Sequence, residues 1–234
     1  DYMATGHYAR RCRRDGVYQL LRGVDRTKDQ SYVLYMLNQE TLRHVLFPLG
    51  GLTKEQVRSL AREIDLPAVR RPESQEICFI PDDDYRGFLA RYRPEAIRPG
   101  PIYDTQGRRV GTHKGLPFYT IGQRKGMGIA APESLYVLKI DAANNSLIVG
   151  TEAELGRTEL IAECVNFIAG KPPDGPIRVT AKIRYLAREV EAIVTPRSPD
   201  TVSVAFAEPL RDITPGQAVV FYRGDVVLGG GTVV

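Results

Sequence analysis

The spacing of apolar residues changes once along this 234-residue chain, at Pro94, and that change limits what each part can become. Before it, Val57, Leu60, Ala61 and Ile64 recur at helical spacing, as do Tyr85, Phe88, Leu89 and Tyr92. After it, Ile177, Val179, Ala181, Ile183 and Tyr185 alternate with Arg178, Thr180, Lys182 and Arg184, and Val202, Val204 and Phe206 alternate likewise. A period near 3.6 fits one face of a helix and a period of 2 one face of a strand, so the first part reads as α/β and the rest as β. In the 177–185 strand so predicted, Arg178, Lys182 and Arg184 share the polar face and Tyr185 falls on the apolar one.

Local signals sharpen both halves. Met3 to Ala9 and Val17 to Leu21 are strand candidates around the turn residues Asp15-Gly16. Gln30 to Leu37 reads as a helix. Thr53-Lys54-Glu55-Gln56 is a capping box, and Pro67 lies past the helix it would start. Asn144-Asn145 is a hairpin turn between Leu135–Ile140 and Ser146–Val149. Val219–Tyr222 and Val226–Leu228 flank a tight Arg223-Gly224-Asp225 connection. Five or six short strands in the last ~75 residues predict a small closed barrel.

Charge is mildly basic, +4 overall, but concentrated. From Arg93 to Lys125, seven basic residues face only Glu95 and Asp104. Such a stretch suits a phosphate backbone, although a solvated surface would look the same. Cys12, Cys78 and Cys164 are too few and too scattered for a disulfide framework, and no Cys-x-x-Cys pair offers a zinc or redox site. No apolar run approaches the ~18 residues of a membrane helix. A reduced, cytoplasmic setting is expected. The chain opens on Asp1 rather than Met, so an upstream segment is expected.

Four segments could carry chemistry. Gly6, in Ala4-Thr5-Gly6-His7-Tyr8, would let a ligand approach the backbone closely; a tight strand exit explains it equally. Lys28-Asp29-Gln30-Ser31 could clamp RNA phosphates and base edges, or Asp29 or Ser31 could simply cap a helix. Cys78 lies between apolar neighbours, as a buried thiol would, yet in a polar, proline-flanked segment that could present a nucleophile. Thr120 to Gly128 combines glycines with Gln123, Arg124 and Lys125, but lacks the residue order of a nucleotide-binding P-loop.

Taken together these segments resemble the bacterial and mitochondrial tRNA-specific 2-thiouridylases. The resemblance runs through Ala-Thr-Gly-His-Tyr at 4–8, Lys-Asp-Gln-Ser-Tyr at 28–32, Ile-Cys-Phe-Ile at 77–80 and Tyr-Thr-Ile-Gly-Gln-Arg-Lys-Gly at 119–126. It continues through Ala-Lys-Ile-Arg-Tyr at 181–185, Thr-Pro-Gly-Gln at 214–217 and Leu-Gly-Gly-Gly at 228–231. It implies three units: the C-terminal part of an adenine-nucleotide α-hydrolase-like parallel-sheet domain (1–82), a mostly β central adaptor (83–157) and a C-terminal β-barrel (158–234). It also implies a chemistry. ATP with Mg²⁺ activates the C2 oxygen of a tRNA wobble uridine, and a cysteine persulfide, loaded by a sulfur-relay protein or cysteine desulfurase, delivers sulfur. Residue by residue, Cys78 is implied as the persulfide carrier and Gly6 as a nucleotide contact. His7, Lys28, Asp29, Gln30, Arg184, Tyr185 and Gln217 are implied as tRNA contacts, in a monomeric protein.

The family's Ser-Gly-Gly-Val-Asp-Ser pyrophosphatase loop and its first catalytic cysteine do not occur in these residues and are expected upstream of Asp1. Cys12 and Cys164 match neither context and read as structural. The 234 residues alone are therefore expected to be incomplete for catalysis. The competing expectation is a non-catalytic RNA-binding β module with Cys78 buried.

Overall fold

The computed structural model describes residues 1–67, 80, 84–211 and 213–234. Two compact units emerge: Asp1–Arg71 with Thr158–Pro209 and Ile213–Val234, and Pro72–Arg157 with Leu210–Asp212. Both ends of the chain therefore build the first unit.

In that unit, β9 (Arg157–Phe167), β10 (Ile177–Lys182), β11 (Val190–Ser198), β12 (Thr201–Leu210), β13 (Ala218–Arg223) and β14 (Val226–Val233) lie in the order β13-β10-β11-β12-β9-β14. An antiparallel β13–β14 pairing closes them into the expected barrel, here of six strands. The alternation read in the sequence fills its interior: Val179, Ala181, Val190, Ala192, Val194, Val202, Val204 and Phe206 are buried. β13 differs, because Val219, Val220, Phe221 and Tyr222 are all fully buried. An unbroken apolar run means that both strand faces are covered. One face supplies the barrel interior. The other, Val220 and Tyr222, packs with Ala9, Leu20, Tyr32, Leu42 and Val45 from the N-terminal segment.

The N-terminal segment reaches the barrel through a hairpin. β2 (Ala9–Arg14) and β3 (Val17–Arg22) turn at Asp15 and Gly16, both at positive φ (51° and 83°), which matches a right-twisting two-residue connection. β3 then pairs antiparallel with β14, Leu20 opposite Val227 and Leu21 opposite Val226. The Arg223-Gly224-Asp225 tip is held from the same segment: Arg10 reaches Asp225 at 2.7 Å, Arg26 pairs with its other oxygen, and the Arg22 N–H donates to its carbonyl. The parallel-sheet character of the segment survives in one pair, β1 (Met3–Ala4) beside β4 (Val45–Leu46). α1 spans Gln39–His44, and α2 spans Lys54–Glu63 behind the capping box of Thr53 and Gln56.

Three expectations need correction. The Met3–Ala9 strand is two strands, broken at 5–8. The Gln30–Leu37 helix is a single 3-10 turn, Ser31–Leu34. Tertiary bonds account for the early end: the Asn166 side-chain amide donates to the Tyr35 and Leu37 carbonyls, and Asn38 caps the next helix, which starts at Gln39. β10 ends at Lys182, so Arg184 and Tyr185 occupy a turn closed by the Ala187 N–H on the Arg184 carbonyl, not opposite faces of a strand.

The second unit is a four-stranded sheet in the order β6 (Arg109–His113), β5 (Gly100–Tyr103), β8 (Ser146–Gly150), β7 (Tyr136–Asp141). Its core is Ile102, Tyr119, Met127, Val137, Leu147 and Val149. The β7–β8 hairpin turns where Asn144-Asn145 predicted, with Asn145 at φ 47°. His113 is fully buried and structural: its Nδ1 accepts from the Gly115 N–H and its Nε2 donates to the Asn145 carbonyl. α3 (Tyr85–Tyr92) is capped by Asp84, which accepts from the Gly87 N–H at 2.9 Å. A Cβ on Gly87 would fall 2.0 Å from that carboxylate, which explains a glycine inside the helix.

The Leu-Gly-Gly-Gly run has a packing explanation. A Cβ on Gly230 would lie 2.6 Å from the Val219 carbonyl oxygen and 2.7 Å from the Tyr35 ring. Gly230→Ala is expected to destabilise the first unit by about 1–3 kcal/mol, the usual cost of overpacking. Gly175→Ala, with open space around it, should stay within about 0.5 kcal/mol of the parent. Urea unfolding midpoints of the two variants check this, and equal midpoints would refute the packing role.

Candidate nucleic-acid interface

Tyr32 organises the site. Its ring is buried, its hydroxyl donates to the Ala218 carbonyl at 2.7 Å, and its centroid lies 6.2 Å from that of Tyr185. One side chain thus joins the 28–32 segment to the 184–185 turn and to the strand start beside Gln217. Electrostatics report the same proximity. Burial pushes the Tyr32 phenol up to about 12, the Tyr35 phenol adds to this, and Arg184 opposes it. Tyr185 is raised by burial and by the Asp29 carboxylate, and Lys28 pulls it back. Sequence reasoning did not single out Tyr32, although it closes the Lys-Asp-Gln-Ser-Tyr run.

The residues of the 28–30 triplet do different things. Asp29 is 8% exposed, and its carboxylate accepts from the Gly23 N–H (2.9 Å), the Ser31 N–H (3.1 Å) and the Ser31 hydroxyl (2.9 Å). Those bonds occupy it in holding the loop. Gln30 accepts from the Tyr8 N–H with its side-chain oxygen, and its own N–H donates to the Tyr8 carbonyl, both at 2.9 Å. This clamp fixes the neighbour of His7, whose Nδ1 sits 3.0 Å from the Thr5 hydroxyl. His7 is half-buried, and Gly6, Arg184 and Tyr185 are exposed. A Cβ on Gly6 would meet only the Leu49 side chain, at 3.9 Å, so the chain's own packing does not demand a glycine there. Gln217 donates its N–H to the Thr214 carbonyl, and its side-chain oxygen is buried with no hydrogen-bond partner among the described residues. Cys78 lies outside the described residues. Cys12 and Cys164, read as structural, are both exposed, Cys164 at a positive φ of 51° where β9 and β14 slip register.

Behind this patch sits a polar core that no local pattern foretold. Arg22, 5% exposed, lies 3.8 Å over the Tyr222 ring, pairs with Glu189 and donates to the Gly224 carbonyl at 3.2 Å. Glu189 also accepts from Thr180 at 2.8 Å and lies 4.0 Å from Lys182. Lys182 is therefore largely committed inward, which narrows the cationic strand face expected of Arg178, Lys182 and Arg184.

Comparison with known proteins fits this architecture. Residues 1–82 match a family model described as the tRNA methyl transferase HUP domain, 86–151 the tRNA methyl transferase PRC-barrel domain, and 157–233 the aminomethyltransferase beta-barrel domain. A tRNA-specific 2-thiouridylase MnmA of Roseiflexus castenholzii is 52% identical over 250 residues, covering 100% of this chain and 67% of the relative. The protein of the same name from Carboxydothermus hydrogenoformans is 53% identical over 235 residues, covering 100% of this chain and 64% of that protein. The chain belongs to the tRNA-specific 2-thiouridylase family. It spans about two thirds of the length of these 2-thiouridylases. No helix among the described residues is long and apolar enough to cross a membrane.

Two carboxylates tie the N-terminal segment of this 2-thiouridylase relative to its barrel. Burial alone would raise Glu189, but Arg22 and Thr180 outweigh it and hold the carboxyl below its ordinary 4.5. The Arg26 hydrogen bond lowers Asp225 most, burial opposes it, and the Arg26 charge with the hydrogen bond and charge of Arg10 keeps the carboxyl below its ordinary 3.8. A carboxylate depressed in the folded state stabilises above its unfolded pKa and loses that contribution as pH falls through the folded one. Unfolding midpoints should therefore drop steeply below about pH 4.5. The drop should be shallower in Asp225→Asn, which has one such group fewer. Urea titrations from pH 7 to pH 2.5 check this, and identical acid slopes would refute it.

Proposed function

We propose that this chain docks tRNA and carries sulfur in an enzyme that replaces the C2 oxygen of a wobble uridine with sulfur. The observation that carries the reading is the gathering of residues 28–32, 184–185 and the 217–218 strand start around Tyr32 on one unit. Lys28 and Arg184 give the patch positive charge, Tyr185 gives it an exposed aromatic edge, and His7 sits on the segment clamped by Gln30. Phosphates would be met by the cations and a base by the ring. In this reading Asp29 and Gln30 act by positioning, since their hydrogen bonds hold the loop that presents Lys28. The segments 1–82, 83–157 and 158–234 are proposed as the three domains.

Sulfur would reach the RNA from Cys78, loaded as a persulfide by a sulfur-relay protein or cysteine desulfurase. The chemistry needs a thiolate, and Cys78 lies within the region matching the HUP-domain model. ATP and Mg²⁺ would activate the uridine oxygen when bound. The described residues do not assemble a site for them: Gly6 offers one open backbone edge, and no group of three or more His, Cys, Asp or Glu suited to a metal occurs among them.

Arg184→Ala should weaken tRNA binding by the 234-residue chain. It should also flatten the dependence of log K on log salt by about 0.7–0.9, the value for one lost phosphate contact. Filter binding over a salt series reads both, and an unchanged affinity and slope in a folded variant would remove Arg184 from the interface. The sulfur role has its own readout. Incubation with a cysteine desulfurase and radiolabelled cysteine should leave reductant-releasable label on the chain. Cys78→Ser should lose it, while Cys12→Ser and Cys164→Ser keep it. Label retained in Cys78→Ser would transfer the role elsewhere.

A further inference from the structure

We infer that α3 is a second RNA-contacting surface, which stacks an unpaired base on Tyr92 and meets the flanking phosphates with Arg91 and Arg93. The inference rests on the tRNA-docking reading above but uses residues which that reading does not.

Tyr92 is 63% exposed at the end of a helix that has no buried residue. Single exposed tyrosines are common and need no explanation. This one is set up differently. The Phe88 ring, one helical turn back, lies 4.6 Å away at 36°, so Tyr92 is backed by a second aromatic ring. Arginines flank it on both sides in the chain. Arg91 has no ion-pair partner among the described residues, and Arg93 meets only the exposed Glu95, at 2.6 Å. Arg98 donates to the Glu95 carbonyl, keeping a third guanidinium next to the helix end. The acidic residues Asp82, Asp83 and Asp84 precede the helix, whereas at its end Arg91, Arg93 and Arg98 face only Glu95.

The other end of the helix is anchored. Tyr85 meets the Phe118 ring edge-on at 6.4 Å, Arg86 lies 5.3 Å over that ring, and Asp84 caps the first turn. A helix fixed at its start and displaying Arg-Tyr-Arg at its end combines the two elements that hold single-stranded nucleic acid: an aromatic platform for a base and cations for the backbone. Positive charge favours RNA over a basic or neutral protein segment as the occupant. Chain connectivity adds a limit on distance. Cys78 precedes Tyr85 by seven residues, no more than ~25 Å of extended chain, and Tyr92 lies about 10 Å further along the helix, so the platform sits within about 35 Å of the proposed sulfur carrier.

The test uses the 234-residue chain and a tRNA anticodon stem-loop with uridine at the wobble position, followed by fluorescence anisotropy. Tyr92→Ala should weaken binding about 5- to 150-fold, the range for one lost base stack, with the salt slope unchanged. Tyr92→Phe should keep the affinity, since the platform is the ring. Arg91→Ala should flatten the salt slope. Circular dichroism melts should leave all three folded, as the side chains are exposed. If Tyr92→Ala binds like the parent while Arg184→Ala binds more weakly, the inference fails and the docking reading stands. If the parent chain does not bind the stem-loop at all, the docking reading fails and takes the inference with it. If Tyr92→Ala spares RNA binding but abolishes sulfur loading by the desulfurase, α3 is a protein-docking surface and the inference is overturned.

Discussion

The first unit depends on β13 having two apolar faces. Val219 and Phe221 close the barrel from inside, and Val220 and Tyr222 give the N-terminal segment a wall to pack on. Without that outer face, the β2–β3 hairpin and the Tyr32 loop would have no apolar partner. The hairpin's edge pairing with β14 is short, so side-chain burial rather than the strand ladder carries most of the union. The site inherits this arrangement. Arg184 and Tyr185 come from the barrel and Lys28 from the opposite end of the sequence, and they meet only because the wall brings Tyr32 to Ala218.

Polar groups then fix what apolar packing leaves loose. In the Arg22–Glu189 pair the arginine is buried and the glutamate half-buried, so desolvation offsets much of the attraction and the net stability is small. The pair constrains geometry strongly, since losing Glu189 leaves the Arg22 charge in the core without its carboxylate. The Tyr222 ring beneath Arg22 and the Gly224 carbonyl beside it leave the guanidinium few alternatives. Asp29 works similarly on a smaller scale, holding Gly23 and Ser31 around one carboxylate.

Much of the fold was legible because it follows from period and turn chemistry. The barrel alternation, the Thr53 cap, the α3 periodicity and the Asn144-Asn145 turn are local signals, and the structure realises each. What failed depended on tertiary partners. Gln30 to Leu37 carries a helical pattern, but the distant Asn166 takes the Tyr35 and Leu37 carbonyls that a longer helix would use. Lys182 looked like a surface cation, yet Glu189, seven residues on, draws it inward. Arg22 and Tyr222 are 200 residues apart, and no local pattern predicts that one lies over the other. Of the candidate site, the motif positions were legible from resemblance; the division between residues that face outward and residues that hold the loop was not.

Building the first unit from both ends of the chain also has a consequence in time. Leu21 finds its strand partner at Val226, a separation of 205 residues. At the ~5–20 residues per second of translation, the hairpin and the Tyr32 loop wait about 10–40 s for the barrel edge that covers them. During that interval Leu20, Tyr32 and Leu42 lack the barrel side of their packing, Val220, Tyr222 and Val227. The emerging chain therefore presents a sticky surface that chaperones can bind, and any ribosome stall within the last strands prolongs it.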